Sequence, residues 1–159
     1  MLEIENTTSD INFVRSVTLP IIAHSHIGQS DIHGFGLFSD RNIEKDDVLC
    51  FLDGQVIAKS KYDKIQKIVS TGLGDYQKYF FMECNYLDEK NILARSLRTS
   101  YSYINHSIMP NVVLKYFPMR IVALSNISKK TEITIDYRKE PLTDEYLKRD
   151  DKTFLKGNV

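Results

Sequence analysis

A chain of 159 residues with 42% hydrophobic and 11% aromatic content suits one domain, burying roughly 70% of the surface its unfolded form exposes, and leaves no room for a second full domain. Its 21 Lys and Arg balance 21 Asp and Glu, so a net charge of zero exerts no whole-chain pull on nucleic acid or anionic membrane; a basic partner must meet a local patch. Two cysteines, Cys50 and Cys84, are too few for a disulfide framework or a four-cysteine zinc site and point to reduced thiols in an intracellular, not secreted, protein.

The N-terminal Met1 to Asp10 is acidic and polar, and the apolar stretch after it, Val17 to Ala23, is broken by Thr18 and Pro20, so neither a signal peptide nor a membrane span is expected. Val17 to Ala23, Leu37 to Phe38 and Val48 to Leu52 are short and β-branched or aromatic, and predict strands. Helical signal is confined to two places. The first starts at Ser60 as N-cap, carries Tyr62, Ile65, Ile68 and Val69 at spacings of three and four, and stops at Gly72. Tyr79 to Met82 predicts another strand. Val112 to Tyr116 and Arg120 to Leu124 predict a hairpin across Phe117-Pro118-Met119, although that connection lacks the glycine such loops prefer. Ile133 to Tyr137 closes the strand set. The second helix follows Pro141, capped by Thr143, with Tyr146, Leu147, Phe154 and Leu155 as its apolar residues. Short strands with two helices predict an irregular β-rich α+β domain rather than a βαβ sheet.

Three segments carry chemistry. His33-Gly34-Phe35-Gly36 places paired glycines before an apolar strand, permitting positive φ and a close backbone approach, but without the third glycine or βαβ frame of a dinucleotide site. Tyr103 to Asn111 reads YINHSIMPN, and Ile127 to Tyr137 reads ISKKTEITIDY. In this order the three resemble the SET domain family, whose patterns are G-x-G-x-F, then aromatic-I-N-H-S-x-x-P-N, then I-x-x-G-E-E-L-T-x-D-Y; the likeness runs from about Val17 to Tyr137.

The resemblance implies a β-clip-like fold of small curved sheets around a knot-like crossing, in which Asn105 to Asn111 is threaded by the chain near Tyr137. It implies one domain over residues 1–159, its core at about 17–137 and a helical tail at 138–159 that closes the site. It also implies protein-lysine methylation with S-adenosylmethionine as cofactor. Gly34, Phe35 and Gly36 would meet the methionine part of that cofactor, Asn105 and His106 its amino-acid and adenine ends, and Tyr79 its border. Leu52, Tyr103 and Ile135 would line the lysine channel, and the Tyr137 hydroxyl would orient the amine. The implied partner is a protein bearing a target lysine, a histone being the family-weighted choice, with no direct nucleic acid and no membrane. A homodimer is left open, and the place of action is cytoplasmic or nuclear.

The chemistry suits these residue types. Methyl transfer from a sulfonium to an amine is an in-line displacement that needs a neutral amine held at near-attack distance. An apolar channel and a facing cation both disfavour the ammonium form of lysine, whose ordinary pKa is about 10.4. Asp136 next to Tyr137 projects to the opposite face of a strand and is expected to make a structural hydrogen bond. Cys84 lacks a paired base, and His24, His26 and His33 lack a fourth ligand, so no metal is expected.

The chain also departs from the family pattern. Ser102 stands where an arginine is usual, Leu52 replaces a channel tyrosine, and Ile135 replaces the Phe or Tyr that limits how many methyl groups fit. Turn glycines are missing at Asp46 and Lys130, the latter at the greater cost. No cysteine-rich segment flanks the domain. These departures motivate a second reading, a catalytically inactive binding module on the same fold. A nucleic-acid-binding β domain resting on Lys59, Lys61, Lys64 and Lys67 is a third, which a solvated helix face explains more simply.

Overall fold

The computed structural model describes residues 10–74, 82–142, 144–148 and 155; Tyr79 and Thr143 lie outside them. The chain divides into two compact units, one built from residues up to Leu52 together with Arg98–Asp136, the other from Asp53–Leu97 together with Tyr137 onward. Among the described residues there are ten strands and three helices, a β-rich α+β architecture as expected, and no helix is long and apolar enough to cross a membrane.

The first unit opens with a helix the sequence reading missed, α1 (Ile11–Val17). Asp10 caps it, accepting from the backbone nitrogens of Asn12 at 2.8 Å and Phe13 at 3.3 Å, donors that a first turn otherwise leaves unsatisfied. The predicted strand Val17 to Ala23 is correspondingly absent. Only Leu19 makes a bridge, to Thr99, and Pro20 has no N–H with which to continue a ladder.

Seven strands of this unit form one sheet: β1 (Ser25–Gln29), β2 (Phe35–Ser39), β3 (Val48–Phe51), β7 (Asn105–His106), β8 (Val112–Lys115), β9 (Arg120–Ala123) and β10 (Glu132–Ile135). Their order is β1-β2-β10-β8-β9-β3, with β7 beside β10. β1 and β2 are a hairpin whose register runs from Ser25↔Ser39 to Gln29↔Phe35. Ile135 pairs in parallel with His106 on one edge of β10 and with Val112 on the other, so Ser107 to Asn111 must pass across the strand to join them. Backbone bonds from Ser107 N to Ile135 O (3.0 Å) and Asn111 N to Thr134 O (3.2 Å) hold that arch down, and the Asn111 side chain spans Glu132 O and Thr134 N. The expected crossing is therefore present, and it falls on Thr134 and Ile135, just before Tyr137. Leu37, Ile104, Val112, Ile121 and Ile133 are the fully buried side chains at its heart, each contributing about 1.5–3 kcal/mol of transfer free energy.

Besides His24 at φ 54°, three turns of this unit hold side-chain-bearing residues in left-handed geometry. The β8–β9 loop spans Tyr116–Met119, one residue longer than predicted, and Phe117 takes φ 56° where a glycine was missed. Asp46 and Lys130, also lacking their glycines, keep φ of 70° and 69°, so the turn is retained at a conformational cost rather than reshaped. Lys130 gains nothing locally to offset that cost beyond its backbone bond to Ser39 O (2.7 Å), which glycine would keep. Lys130→Gly is expected to raise stability by about 1 kcal/mol, seen as a higher urea midpoint at an unchanged m-value.

The second unit holds a three-stranded antiparallel sheet, β4 (Gln55–Ala58), β6 (Asn91–Arg95) and β5 (Glu83–Tyr86), in the order β4-β6-β5, with α2 (Lys59–Leu73) following β4 directly. α2 starts one residue before Ser60, with Ala58 at the cap and no side-chain bond there, and runs through Gly72 to Gly74 at φ 54°. Tyr62, Ile65 and Val69 form its half-buried stripe, and Tyr62 packs on Tyr86, Ile92 and Ala94. Ile68, placed in that stripe by the sequence reading, is 72% exposed because it lies about 120° round the helix from Tyr62. A short helix, α3 (Asp144–Leu147), is the described part of the predicted tail helix.

Candidate functional site

In the first unit the predicted residues of the glycine segment and of YINHSIMPN meet. The β1–β2 loop, Ser30 to Gly34, folds on itself: Ser30 N donates to Gly34 O at 2.9 Å, and Ser30 Oγ accepts from the nitrogens of Ile32 (2.9 Å) and His33 (3.3 Å). Gly34 closes the loop at φ 49°, a conformation costly for any residue with a Cβ, and among the described residues nothing lies within 4 Å of where its side chain would be. Phe35, half-buried, begins β2.

Gly36 has a different neighbour. A Cβ there would stand 2.2 Å from Glu132 Oε1 and 2.7 Å from its Cδ, so the missing side chain makes room for a carboxylate. Glu132 was not singled out by the sequence reading. It lies diagonally across the β2–β10 pairing from Gly36, since Glu132 pairs with Phe38, and long side chains reach such diagonal neighbours.

Asn105, at the start of β7, points its amide nitrogen at four oxygens: Glu132 Oε1 (2.8 Å), Ser30 Oγ (3.1 Å), His33 O and Phe35 O (both 3.2 Å). Its Oδ1 has no hydrogen-bond partner among the described residues. His106, beside it, turns Nδ1 toward Asp136 Oδ1 at 3.7 Å, both side chains being nearly buried. A structural hydrogen bond is expected of Asp136; at 3.7 Å this contact is longer than one. A loop with open space at Gly34 and an available amide oxygen at Asn105 fits a compact cationic ligand carrying an ammonium group, as the amino-acid end of S-adenosylmethionine does.

Of the predicted channel residues, Leu52, Tyr103 and Ile135 are all buried in this unit. Leu52 donates its N–H to Met119 O at 2.9 Å, Tyr103 ends a 3-10 turn over Ser100–Tyr103, and Ile135 sits in the β10 crossing. His26 stacks on Phe38 with ring centroids 5.7 Å apart and meets Asp40 at 2.6 Å, an arrangement unrelated to His24 or His33.

Tyr137 belongs to the second unit, in a 3-10 turn over Tyr137–Lys139 directly after β10 and Asp136. Burial, then the nearby Glu140 carboxylate and Tyr146, push its phenol up to about 12. That unit gathers other phenols the sequence reading did not connect. Tyr86 and Tyr146 meet edge-on with centroids 6.0 Å apart, and Glu140 accepts from Tyr86 N at 3.2 Å. Burial also lifts Tyr62 to about 12 and raises Tyr86 and the Cys84 thiol, which disfavours the nucleophilic thiolate. These residues are spread from 62 to 146, and no local spacing reveals that they converge.

The raised phenols have a stability consequence with a definite sign. A folded-state value near 12 against an ordinary 10.0 means the folded protein retains protons that the unfolded chain releases. The stabilisation is complete below pH 10 and is lost as pH rises from about 10 to about 12. Urea midpoints measured across that range are expected to fall there while staying level between pH 8 and about 9.5.

Comparison with known proteins places this geometry. Residues 34–138, well over half of the chain, match the model of the SET domain. The chain is 31% identical over 121 residues, 71% of its length, to the histone-lysine N-methyltransferase, H3 lysine-4 specific, of Schizosaccharomyces pombe, covering 12% of that protein. It is 27% identical over 118 residues, 70% of its length, to the histone H3-lysine(4) N-trimethyltransferase ATX1 of Arabidopsis thaliana, covering 11%. It is 25% identical over 138 residues, 79% of its length, to a variant-silencing SET domain-containing protein of Plasmodium falciparum, covering 5%. The chain thus spans about a tenth or less of the length of these relatives. The matched segment contains Gly34 and Gly36, the β10 crossing and Tyr137 together, and the chain belongs to the SET domain family.

Proposed function

We propose that this protein is a protein-lysine methyltransferase using S-adenosylmethionine, with a histone as the substrate its relatives favour. The observation that carries the reading is the loop-and-amide arrangement of Gly34 and Asn105 on the chain segment matched by the family, a segment that also contains Tyr137. S-adenosylmethionine, when bound, supplies a methyl group made electrophilic by its sulfonium. Asn105 accepts from the ammonium of the amino-acid end through Oδ1, and Gly34 lets backbone approach without a side chain in the way. His106, steadied by Asp136, keeps β7 against β10.

Tyr137 acts by position rather than by ionisation. With its phenol pushed up to about 12 it remains protonated at neutral pH, so its oxygen orients the incoming amine and does not serve as a general base. The amine loses its proton because an apolar channel disfavours the ammonium form. Leu52 in place of a tyrosine removes a hydroxyl from that channel, and Ile135 in place of an aromatic ring leaves more room, which favours products carrying more than one methyl group.

Incubating the protein with S-adenosylmethionine labelled in its methyl group and a pool of core histones tests the reading. Label on lysine, with calorimetric binding of the donor, is the expected result. Tight donor binding without transfer to histone or to any other protein in a whole lysate would instead identify a catalytically silent binding module.

A further inference from the structure

We propose that Glu132 is a positioning residue that latches the donor-binding loop and fixes which way the Asn105 amide faces. This inference rests on the reading of Gly34 and Asn105 as the donor site. Three elements converge on the Glu132 carboxylate: the loop through Ser30, β7 through Asn105, and β2 through the space left at Gly36.

The proton directions in this cluster are determined by its donors. Ser30 Oγ is approached by three N–H donors, those of Ile32, His33 and Asn105, so its single proton has only the carboxylate to go to, at 2.8 and 3.0 Å from the two oxygens. The Asn105 amide faces oxygens that all accept or are already committed, Glu132 Oε1 at 2.8 Å being the nearest. An amide turned the other way would set its own oxygen against a carboxylate and two carbonyls, so the nitrogen is held inward and Oδ1 outward. The carboxylate therefore determines where the site's hydrogen-bond acceptor points.

Gly36 is the independent sign that this arrangement is built. Only a residue with no Cβ leaves room for the carboxylate, with Oε1 at 2.2 Å from the position a Cβ would take and Ser30 Cβ at 3.1 Å. The paired glycines thus divide the work, Gly34 shaping the loop and Gly36 admitting the latch. Among the described residues no lysine, arginine or histidine nitrogen forms an ion pair with Glu132, so its charge also favours a cationic ligand in this loop.

Four variants test the proposal: Glu132→Gln, Glu132→Ala, Gly36→Ala and the double variant Gly36→Ala with Glu132→Ala. Donor affinity is read by calorimetry, kcat and KM by methyl transfer, and the order of residues 30–35 by hydrogen exchange of the ligand-free protein. Glu132→Ala is expected to weaken donor binding about 10–100-fold, the range of one charge-assisted hydrogen bond, to raise KM for the donor with kcat at saturation retained, and to speed exchange over 30–35. Glu132→Gln keeps the side chain's size but brings a donor into the cluster, and is expected to show the same weakening with near-native thermal stability. Gly36→Ala alone is expected to match or exceed the loss, and the double variant to be no worse than Gly36→Ala, because its clashing partner is gone.

Unchanged affinity and unchanged exchange in both Glu132 variants would overturn the proposal, as would a fall in kcat at constant KM, the mark of an interaction made in the transition state rather than with the bound donor. If the wild-type protein fails to bind the donor, the methyltransferase reading falls. The latch is then judged by exchange over residues 30–35 and by the coupling between Gly36 and Glu132 in folding stability.

Discussion

Tyr137→Phe is expected to lower methyl transfer about 10²–10⁴-fold, the usual worth of a positioned proton-bearing side chain, while leaving donor affinity unchanged. The donor-holding groups are bonded within their own loop and strands: Gly34 O accepts from Ser30 N, and Asn105 Nδ2 donates to Glu132, Ser30, His33 and Phe35. The ring of Tyr137 is held by burial beside Glu140 and Tyr146, and phenylalanine keeps that apolar bulk. Only the oxygen is lost. An interaction made with the reacting amine lowers kcat and kcat/KM together, so single-turnover transfer measured with saturating donor is the deciding experiment. If Tyr137→Phe kept most of the wild-type rate, the phenol would not be oriented at the amine, and the site would need another group.

The pH dependence should agree with this role. A group protonated up to about 12 contributes no ionisation to a rate profile between pH 7 and 10, so any rise in rate there reports the substrate lysine rather than Tyr137.

Much of the first unit's sheet was legible because its strands are buried on both faces and read as β-branched runs. β9 and β10 are of this kind, and β8 alternates over buried Val112 and Leu114, with Val112, Ile121 and Ile133 fully inaccessible. Of the strands that escaped notice, β1 and β4 lack that signature, whereas β6 carries a short buried run, Ile92 to Ala94, that was passed over. β1 buries only Ile27 and Gly28, and three of the four β4 residues are exposed, so neither carries a run or an alternation to find. α1 was hidden by its own C-terminal residues, which look strand-like, while the signal that starts it is one cap at Asp10. At the site, the glycine loop, Asn105, His106 and Tyr137 could be read because they sit in short contiguous motifs. Glu132 lies 102 residues from the Ser30 it bonds, and its meaning depends on a register between β2 and β10 that no window of sequence contains. Arg95 is hidden for the same reason.

That residue carries the second large expected effect. Arg95→Leu is expected to cost about 3–5 kcal/mol of folding stability, because it leaves a buried carboxylate without its cation. Arg95 on β6 stands directly opposite Glu83 on β5, and Nε meets Glu83 Oε2 at 2.7 Å with side-chain exposures of 10% and 3%. The same guanidinium gives Nη2 to Asn85 Oδ1 at 2.6 Å and Nη1 to Asp53 O at 3.1 Å. Asn85 is fully buried and among the described residues already lacks a partner for Nδ2, so it has little in reserve when its Oδ1 loses Arg95. Gly54 adds a packing constraint, since a Cβ there would stand 2.7 Å from Ala94 O and 3.1 Å from Arg95 Cγ. The exposed pair Lys59–Asp63, at a comparable 2.8 Å, is the natural control: breaking it should cost less than about 1 kcal/mol. Replacing Glu83 as well, in Arg95→Leu with Glu83→Leu, should recover part of the loss, because what destabilises the single variant is the stranded charge and not the absent attraction. Urea unfolding of the three variants decides the matter: if Arg95→Leu fell no further than the surface control, the carboxylate would have to be finding water or another cation, and the second unit's sheet would owe its stability to apolar packing alone.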